Sequence, residues 1–171
     1  MIQIGIVGNR FFSKQEIVDF VSHQCVSILQ SVKNIYCDVV ALSAIAQGAD
    51  TIFAEAAFSL NVQYKIVRPF EKYITDFQTP IAMDRYLQLQ RTAFKEIKLS
   101  HSYRSEEAYF DAMQWIVRNS DLLIAVWNGK QGKGKGGTAG AVKQVVKLDQ
   151  DWIHIDTSKQ DTKFYLKKIK L

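Results

Sequence analysis

Short apolar runs alternate along the chain with longer segments whose apolar residues recur at helical spacing. The run from Ile2 to Val7 is almost continuously apolar, which is typical of a strand buried on both faces of a parallel sheet. Ser13 and Glu16 have the spacing of a capping box and predict the start of a helix. The apolar residues that follow at helical spacing are Ile17, Val21, Cys25, Ile28 and Val32. These patterns predict a buried strand followed by an amphipathic helix.

The same patterns predict further strands over residues 38–43, 64–68, 121–127 and 151–155. Helices are predicted over residues 51–60, 81–97, 106–119 and 138–148, with a loop over 70–79 and a short helix in the lysine-rich segment at the end. Strands separated by helices and short turns favour parallel βαβ units. We therefore predict an α/β fold of the Rossmann-like, doubly wound type, with a mostly parallel sheet of about five strands and helices on both faces. A single domain over residues 1–171 is expected.

The predicted topology places one pair of loops together. In a doubly wound sheet, ligands bind in the crevice outside the carboxyl ends of the strands where the strand order reverses. The first strand ends at Gly8-Asn9-Arg10, and the strand over 121–127 leads into the segment from Asn128 to Thr138. We expect these two loops to face each other across the ligand site.

The segment from Asn128 to Thr138 has the composition of a phosphate-binding loop, with five glycines and three lysines. Glycine lets the backbone approach a ligand, and the following helix presents unpaired N–H groups to an anion. The predicted ligand contacts in this segment are Asn128, Gly134, Gly136, Gly137 and Thr138. Gly136 stands where a P-loop carries the Ser or Thr that holds magnesium, which argues against an ATPase. The alternative interpretation is a flexible, solvated loop.

The loops after the first three strands supply the other candidates. Arg10 suits a phosphate group, with a surface salt bridge as the alternative, and Asp50 either caps a helix or binds a ribose hydroxyl. Glu55 and Asp76 are candidate catalytic acids, although isolated carboxylates are usually solvated. The remaining predicted ligand contacts are Gly8, Asn9, Ser43, Gly48 and Arg68. The dinucleotide fingerprint G-x-G-x-x-G is absent, which disfavours an ordinary NAD dehydrogenase.

Composition narrows the class of partner. The net charge of +5 and the sequence pI of about 9.1 favour an anionic partner, either phosphates or nucleic acid. We expect a cytoplasmic protein without a signal peptide or membrane span, with Cys25 and Cys37 as buried free thiols. The three histidines form no zinc pattern, so neither a metal nor a cofactor is expected. The aromatic residues predicted to lie in the core are Phe53, Phe58, Trp115 and Trp127.

Three pieces of the sequence resemble the SLOG superfamily, which includes the Lonely Guy phosphoribohydrolases, DNA-processing protein A and nucleotide-sensing domains. The pieces are residues 5–10 (GIVGNR), residues 43–50 (SAIAQGAD) and residues 120–129 (SDLLIAVWNG) continuing to 136–138 (GGT). The resemblance covers residues 2–148 and implies a Rossmann-like sheet with a nucleotide or its derivative at the crevice. It also implies that Arg10, Gly48, Gly136, Gly137 and Thr138 contact the ligand.

The chain departs from the Lonely Guy enzymes at the position of their catalytic glutamate. That glutamate follows the threonine of the motif by three residues, and here this position is Ala141. Asn9 stands where many relatives have histidine, serine or threonine, so the resemblance does not identify the ligand. The missing glutamate weakens the expectation of an enzyme.

Three functions follow from these observations. The first is binding of a phosphate-bearing nucleotide or nucleotide-derived molecule, such as an ADP-ribose-like ligand, by a sensor or sequestering protein. The second is a hydrolase or transferase acting on an N-glycosidic bond, with Glu55 or Asp76 replacing the missing acid. The third is nucleic-acid binding through the basic loop and tail. Homo-oligomers through the helices over residues 81–119 are also expected from the resemblance.

Overall fold

A computed structural model describes residues 1–130 and 137–171 of the chain. It contains a seven-stranded sheet in the order β4-β3-β2-β1-β5-β6-β7. The strands are β1 (Ile2–Gly8), β2 (Val39–Ser43), β3 (Gln63–Arg68), β4 (Lys95–Lys98), β5 (Leu122–Trp127), β6 (Asp151–Asp156) and β7 (Asp161–Tyr165). The helices are α1 (Gln15–Ile35), α2 (Ala49–Ser59), α3 (Pro80–Thr92), α4 (Glu106–Arg118) and α5 (Thr138–Lys147), with a 3₁₀ helix at Tyr73–Asp76.

The order of the strands reverses at β1, which pairs in parallel with both β2 and β5. Ile4 and Ile6 of β1 are fully buried, as the apolar run predicts, because helices cover both faces of the sheet. One apolar cluster includes residues of α1, α2 and α3, and a second includes residues of α4 and α5. The Rossmann-like architecture and the neighbouring positions of the strands over residues 2–8 and 122–127 are therefore confirmed.

The sheet has seven strands rather than about five, because two edge strands were missed. The helix predicted over 81–97 ends at Thr92, and Lys95–Lys98 pairs with β3 as β4. The lysine-rich segment predicted as a short helix instead contains β7, which pairs antiparallel with β6 after a tight turn. Strands of four and five residues at the edges of a sheet carry too little apolar alternation to identify them.

Three local predictions are also wrong. Helix α1 begins at Gln15 after Lys14, without a side-chain cap, so the Ser13 capping box does not form. Cys25 is buried as expected, but Cys37 is exposed. Phe58 is 56% exposed rather than in the core. Within the described parts of the chain, no helix combines the length and apolarity needed to cross a membrane.

Candidate functional site

A cavity of about 250 Å³ lies beyond the carboxyl end of β1, between the loop after β2, helix α4 and the start of α5. Its polar lining includes Arg10, Asp50, Tyr73, Tyr109 and Thr138. Its apolar wall is formed largely by Ala112, Met113 and Ile116 of α4. The two loops that the sequence places at the switch point both reach this cavity, through Gly8 and Arg10 on one side and through Gly137 and Thr138 on the other.

The loops after β1 and β2 are bound tightly to each other. The backbone carbonyl of Asn9 accepts a hydrogen bond of 3.0 Å from the N–H of Ala49, at the start of α2. Gly48 precedes this helix with φ +96°, a conformation that residues with a Cβ rarely adopt. A Cβ at Gly48 would lie 2.3 Å from the carbonyl oxygen of Asn9 and 2.4 Å from that of Arg10. Gly48 is therefore required by the backbone path, whatever the ligand.

Ser43 holds the same turn from inside. Its side chain is fully buried, donates a hydrogen bond of 3.0 Å to the carbonyl of Asp50 and accepts one of 2.9 Å from the N–H of Ile45. Gly8 is similarly confined, because a Cβ there would lie 2.5 Å from the Cβ of Ala49. These contacts account for Ser43 and Gly8 as structural residues. Their predicted contact with a ligand stays a prediction.

Arg10 is held in place by an acidic and an aromatic partner. Its guanidinium donates to Asp76 over 3.0 Å and lies 4.5 Å from the centre of the Tyr109 ring. Arg104 also donates to Asp76, over 2.8 Å, and to the Tyr109 hydroxyl, over 3.1 Å. The Arg10 side chain keeps 36% of its surface exposed while Asp76 keeps 9%. The arrangement fixes the guanidinium of Arg10 at the cavity and leaves part of it accessible.

The two arginines also decide the charge of Asp76. Burial alone would raise the pKa of Asp76, but hydrogen bonds from Tyr109 and Arg104 and the charge of Arg10 hold it below its usual range. Asp76 is therefore a carboxylate at neutral pH and orients Arg10. An ionised, doubly paired carboxylate is a poor proton donor, so the geometry does not favour the predicted role of Asp76 as a catalytic acid.

Asp50 has the opposite environment. It lines the cavity with only 7% of its surface exposed. Burial raises the pKa of this carboxyl to about 7, while the charge of Arg10 and hydrogen bonds from the N–H groups of Ala44 and Ala46 act in the opposite direction. Asp50 therefore lies inside the cavity as a group that can be protonated near neutral pH. The residue that caps α2 is Gly48 and not Asp50.

The start of α5 forms the other side of the cavity. Gly137 is the residue preceding the helix and supplies no side-chain cap, and Thr138 is the first helical residue. A Cβ built on Gly137 meets no atom of the described residues within 4 Å, so none of these residues fills the space next to Gly137. Gly134 and Gly136, also predicted as contacts, lie outside the described residues. Ala141 packs on the inner side of α5 and is fully buried.

Asn9, Ser43, Gly48 and Asp76 are not among the residues that line the cavity, and three more predicted residues make their contacts elsewhere. Asn128 is exposed and accepts a hydrogen bond of 3.1 Å from the N–H of Lys130. Arg68 on β3 lies 3.4 Å from Glu96 on the neighbouring strand β4, in an ion pair. Glu55 pairs with Arg85 in a separate surface depression between α2 and α3.

The part of the cavity wall that the 3₁₀ helix and α4 contribute was not predicted from the sequence. Tyr73 lies within the segment predicted as a loop over 70–79, and it lines the cavity. Tyr109 and Arg104 were not singled out. Tyr109 lies four residues before Met113 in the amphipathic α4, so both lie on the helix face that lines the cavity. No local pattern in the sequence indicates that this face meets the end of β1.

In the described ranges, 1–130 and 137–171, no group of three or more His, Cys, Asp or Glu residues is arranged to hold a metal ion. The titratable groups of the cavity that the geometry brings together are Arg10, Asp50, Tyr73 and Tyr109.

Three known structures are similar to the fold of this chain. No protein-family model matches the chain, and no curated protein does. DNA processing protein A from Streptococcus pneumoniae has a similar structure, with a TM-score of 0.61 and 17% identity over 88% of this chain. DNA processing protein A from Helicobacter pylori, described as binding single-stranded DNA, gives a TM-score of 0.62 and 15% identity over 88% of this chain. The protein TM1055 gives a TM-score of 0.58 and 12% identity over 89% of this chain.

These likenesses confirm the SLOG-like fold that the sequence motifs indicate. The chain spans 49% of the length of the Streptococcus protein, 63% of the Helicobacter protein and 72% of TM1055. At these low identities the likeness concerns the fold alone.

Proposed function

We propose that the cavity beyond β1 binds a phosphate-bearing nucleotide or nucleotide-derived small molecule, with a phosphate group at the start of α5. The observation that carries this proposal is the shared position of the open start of α5 and the half-exposed Arg10 guanidinium in one cavity. A helix start presents unpaired N–H groups and about half a positive charge to an anion.

Arg10 adds a donor that is oriented before the ligand arrives. Asp76 and the Tyr109 ring hold its guanidinium, so little side-chain freedom remains to be lost on binding. An arginine can offer two parallel hydrogen bonds to a phosphate, and only one of its guanidinium nitrogens donates to Asp76 in the structure. Arg10 also donates a hydrogen bond to the Tyr109 hydroxyl, and its other N–H groups are the donors proposed for an anion in the cavity.

The size of the cavity limits the ligand. A volume of about 250 Å³ is just below the 300–1,000 Å³ that is typical of pockets for drug-sized molecules. A mononucleotide or a ribose phosphate fits this range best, and a larger ADP-ribose-like ligand would extend out of the cavity. Binding without turnover corresponds to a sensor or a sequestering protein.

The test is calorimetric titration of the wild-type chain with AMP, ribose 5-phosphate, ADP-ribose and inorganic phosphate. Arg10→Gln is the decisive variant, and we expect it to weaken binding by about 10- to 100-fold, because a hydrogen bond to a charged group contributes roughly 1.5–3 kcal/mol. Arg85→Gln is the matched control, since Arg85 pairs with Glu55 away from the cavity. Equal affinities of the wild type and Arg10→Gln would contradict the proposal.

A second candidate function is cleavage of an N-glycosidic bond, and the observation that favours it is the position of Asp50. A carboxyl group with a pKa of about 7 in the cavity can donate a proton to a leaving base near neutral pH. Asp50 then takes the role for which the sequence suggested Glu55 or Asp76. Release of adenine from AMP by the wild type and not by Asp50→Asn would support this candidate, and no release by either would exclude it for that substrate.

Nucleic-acid binding is tested in the same titration with a single-stranded DNA oligonucleotide. The similar fold of the Helicobacter protein, which binds single-stranded DNA, favours this probe. If phosphate contacts dominate, the logarithm of the affinity should fall linearly with the logarithm of the salt concentration, by roughly 0.7 per neutralised phosphate. If the oligonucleotide binds and none of the small molecules does, nucleic-acid binding replaces nucleotide binding as the proposed function.

A further inference from the structure

The inner wall of the cavity holds a buried tyrosine whose hydroxyl has no hydrogen-bond partner among the described residues. Tyr73 is 1% exposed, and its hydroxyl is buried and unpaired. Its ring contacts Phe70, Phe77 and Tyr86 edge-on or nearly so, with ring centres 5.3, 5.5 and 5.8 Å away. These contacts prevent the ring from turning its hydroxyl out to water.

Other tyrosines show how unusual this is. The hydroxyl of Tyr64, which is 2% exposed, lies 2.6 Å from the carbonyl of Leu89 and 2.6 Å from the hydroxyl of Thr92. The hydroxyl of Tyr109 accepts a hydrogen bond from Arg104. Buried polar groups are normally paired, because an unpaired donor loses its water without compensation. The hydroxyl of Tyr73 therefore requires a partner from within the cavity.

Asp50 lies on the lining of the same cavity and complements Tyr73. Its carboxyl group is 7% exposed and accepts from the N–H groups of Ala44 and Ala46. An ionised carboxylate has about four lone-pair positions and a protonated carboxyl group adds a donor, so in either form Asp50 can hydrogen-bond to a ligand hydroxyl. Burial, followed by the charge of Asp50, raises the pKa of the Tyr73 phenol well above its usual value, so this hydroxyl remains protonated and can donate.

A donor and an acceptor on one buried wall match a sugar, whose hydroxyl groups donate and accept together. We propose that Asp50 and Tyr73 form a sugar subsite that binds the ribose hydroxyls and makes the cavity select ribose phosphates over 2-deoxyribose phosphates. The proposal rests on the nucleotide-binding function above and extends it to the class of sugar. A site that hydrogen-bonds a hydroxyl discriminates strongly against the analogue without it, because its buried polar groups are then unpaired.

The experiment is calorimetric titration of the wild type, Tyr73→Phe and Asp50→Asn with ribose 5-phosphate and 2-deoxyribose 5-phosphate. Both probes lack a base, so the unknown base does not affect the comparison. We expect the wild type to prefer ribose 5-phosphate by about tenfold or more, which is the effect of one lost hydrogen bond in a buried site. Tyr73→Phe and Asp50→Asn should bring this preference close to one, while both keep their affinity for inorganic phosphate. Tyr64→Phe is the control and should keep the wild-type preference.

The outcomes separate the two proposals. Equal wild-type affinities for the two sugar phosphates would overturn the sugar subsite and leave phosphate binding in place. A preference that survives in both Tyr73→Phe and Asp50→Asn would also overturn it, since the selection would then come from other groups. If neither sugar phosphate binds, and AMP and inorganic phosphate do not bind either, the subsite is overturned together with the function on which it rests. If a variant does not fold, the wild-type comparison decides alone.

Discussion

The two sides of the cavity are built in different ways. On the side of β1 and β2, backbone hydrogen bonds join Asn9 to both Val126 and Ala49, and Gly48 leaves no room for a side chain. On the side of α5, Gly137 supplies no side-chain cap and a Cβ there meets no described atom. One side is packed as tightly as a protein interior, and the other is open at the helix start.

This difference separates stability from binding. Residues of the packed side cannot change without moving backbone, so their substitution costs free energy of unfolding before it affects a ligand. At Gly137, where an added Cβ would meet no described atom, we expect a substitution to change the free energy of unfolding little and to act mainly on the proposed ligand. Arg10 and Asp50 lie between these extremes, because each is fixed by neighbours and still lines the cavity.

The largest effect is expected at Gly48. Gly48→Ala should lower the free energy of unfolding by at least about 4 kcal/mol, because the residue has φ +96° and its Cβ would lie 2.3 Å from a backbone oxygen. Gly137→Ala is the matched substitution on the open side, and there the added Cβ meets no described atom. Urea denaturation of both variants measures the difference. Similar losses in the two variants would show that the two sides do not differ.

The second effect is the pH dependence of stability that the carboxyl group of Asp50 causes. Since burial raises the pKa of Asp50 to about 7, the folded chain holds this proton more tightly than the unfolded chain, where the ordinary value is 3.8. The stabilising contribution is complete below pH 3.8 and is lost as the pH rises towards 7. The other titratable groups of the cavity are Arg10, Tyr73 and Tyr109, and all three keep their protonation state in this range.

Asp50→Asn removes this titration. The free energy of unfolding of the wild type, relative to that of Asp50→Asn, should fall by up to about 4 kcal/mol between pH 4 and pH 8, at roughly 1.4 kcal/mol per pKa unit. The lowered pKa of Asp76 acts below pH 4 and does not enter this window. Urea denaturation at both pH values measures the change, and parallel pH profiles of the two proteins would contradict the buried environment of Asp50.

The packed side was the more predictable one. Gly48 and Arg10 follow strands whose apolar runs are unmistakable, so the topology of a doubly wound sheet places both at one edge. Tyr73 could not be assigned to the site in this way, since its place depends on how the chain after β3 packs over the cavity. Tertiary contacts of this kind produce no local periodic pattern of apolar and polar residues in the sequence. The edge strand β7 was missed for a related reason, because its five residues are held by pairing with β6.

A smaller effect is expected for a ligand at the open side. Gly137→Val should weaken binding of ribose 5-phosphate about tenfold, or roughly 1.4 kcal/mol, because a β-branched side chain occupies the space through which the phosphate approaches the helix start. The free energy of unfolding should change little. Calorimetric titration together with urea denaturation checks both statements. An unchanged affinity in the folded variant would show that the phosphate does not bind at this helix start.

The smallest effect is expected at Arg104, which is 66% exposed and donates to Oδ1 of Asp76, whereas Arg10 donates to Oδ2. Exposed ion pairs contribute about 0–1 kcal/mol, and Arg10 keeps its own hydrogen bond to Asp76 when Arg104 is changed. Arg104→Gln should therefore weaken binding of ribose 5-phosphate less than about threefold, against the 10- to 100-fold expected for Arg10→Gln. Titration of both variants at the same salt concentration makes the comparison. A loss in Arg104→Gln as large as that in Arg10→Gln would mean that the anion binds between the two guanidinium groups and that the site extends beyond the cavity towards Arg104.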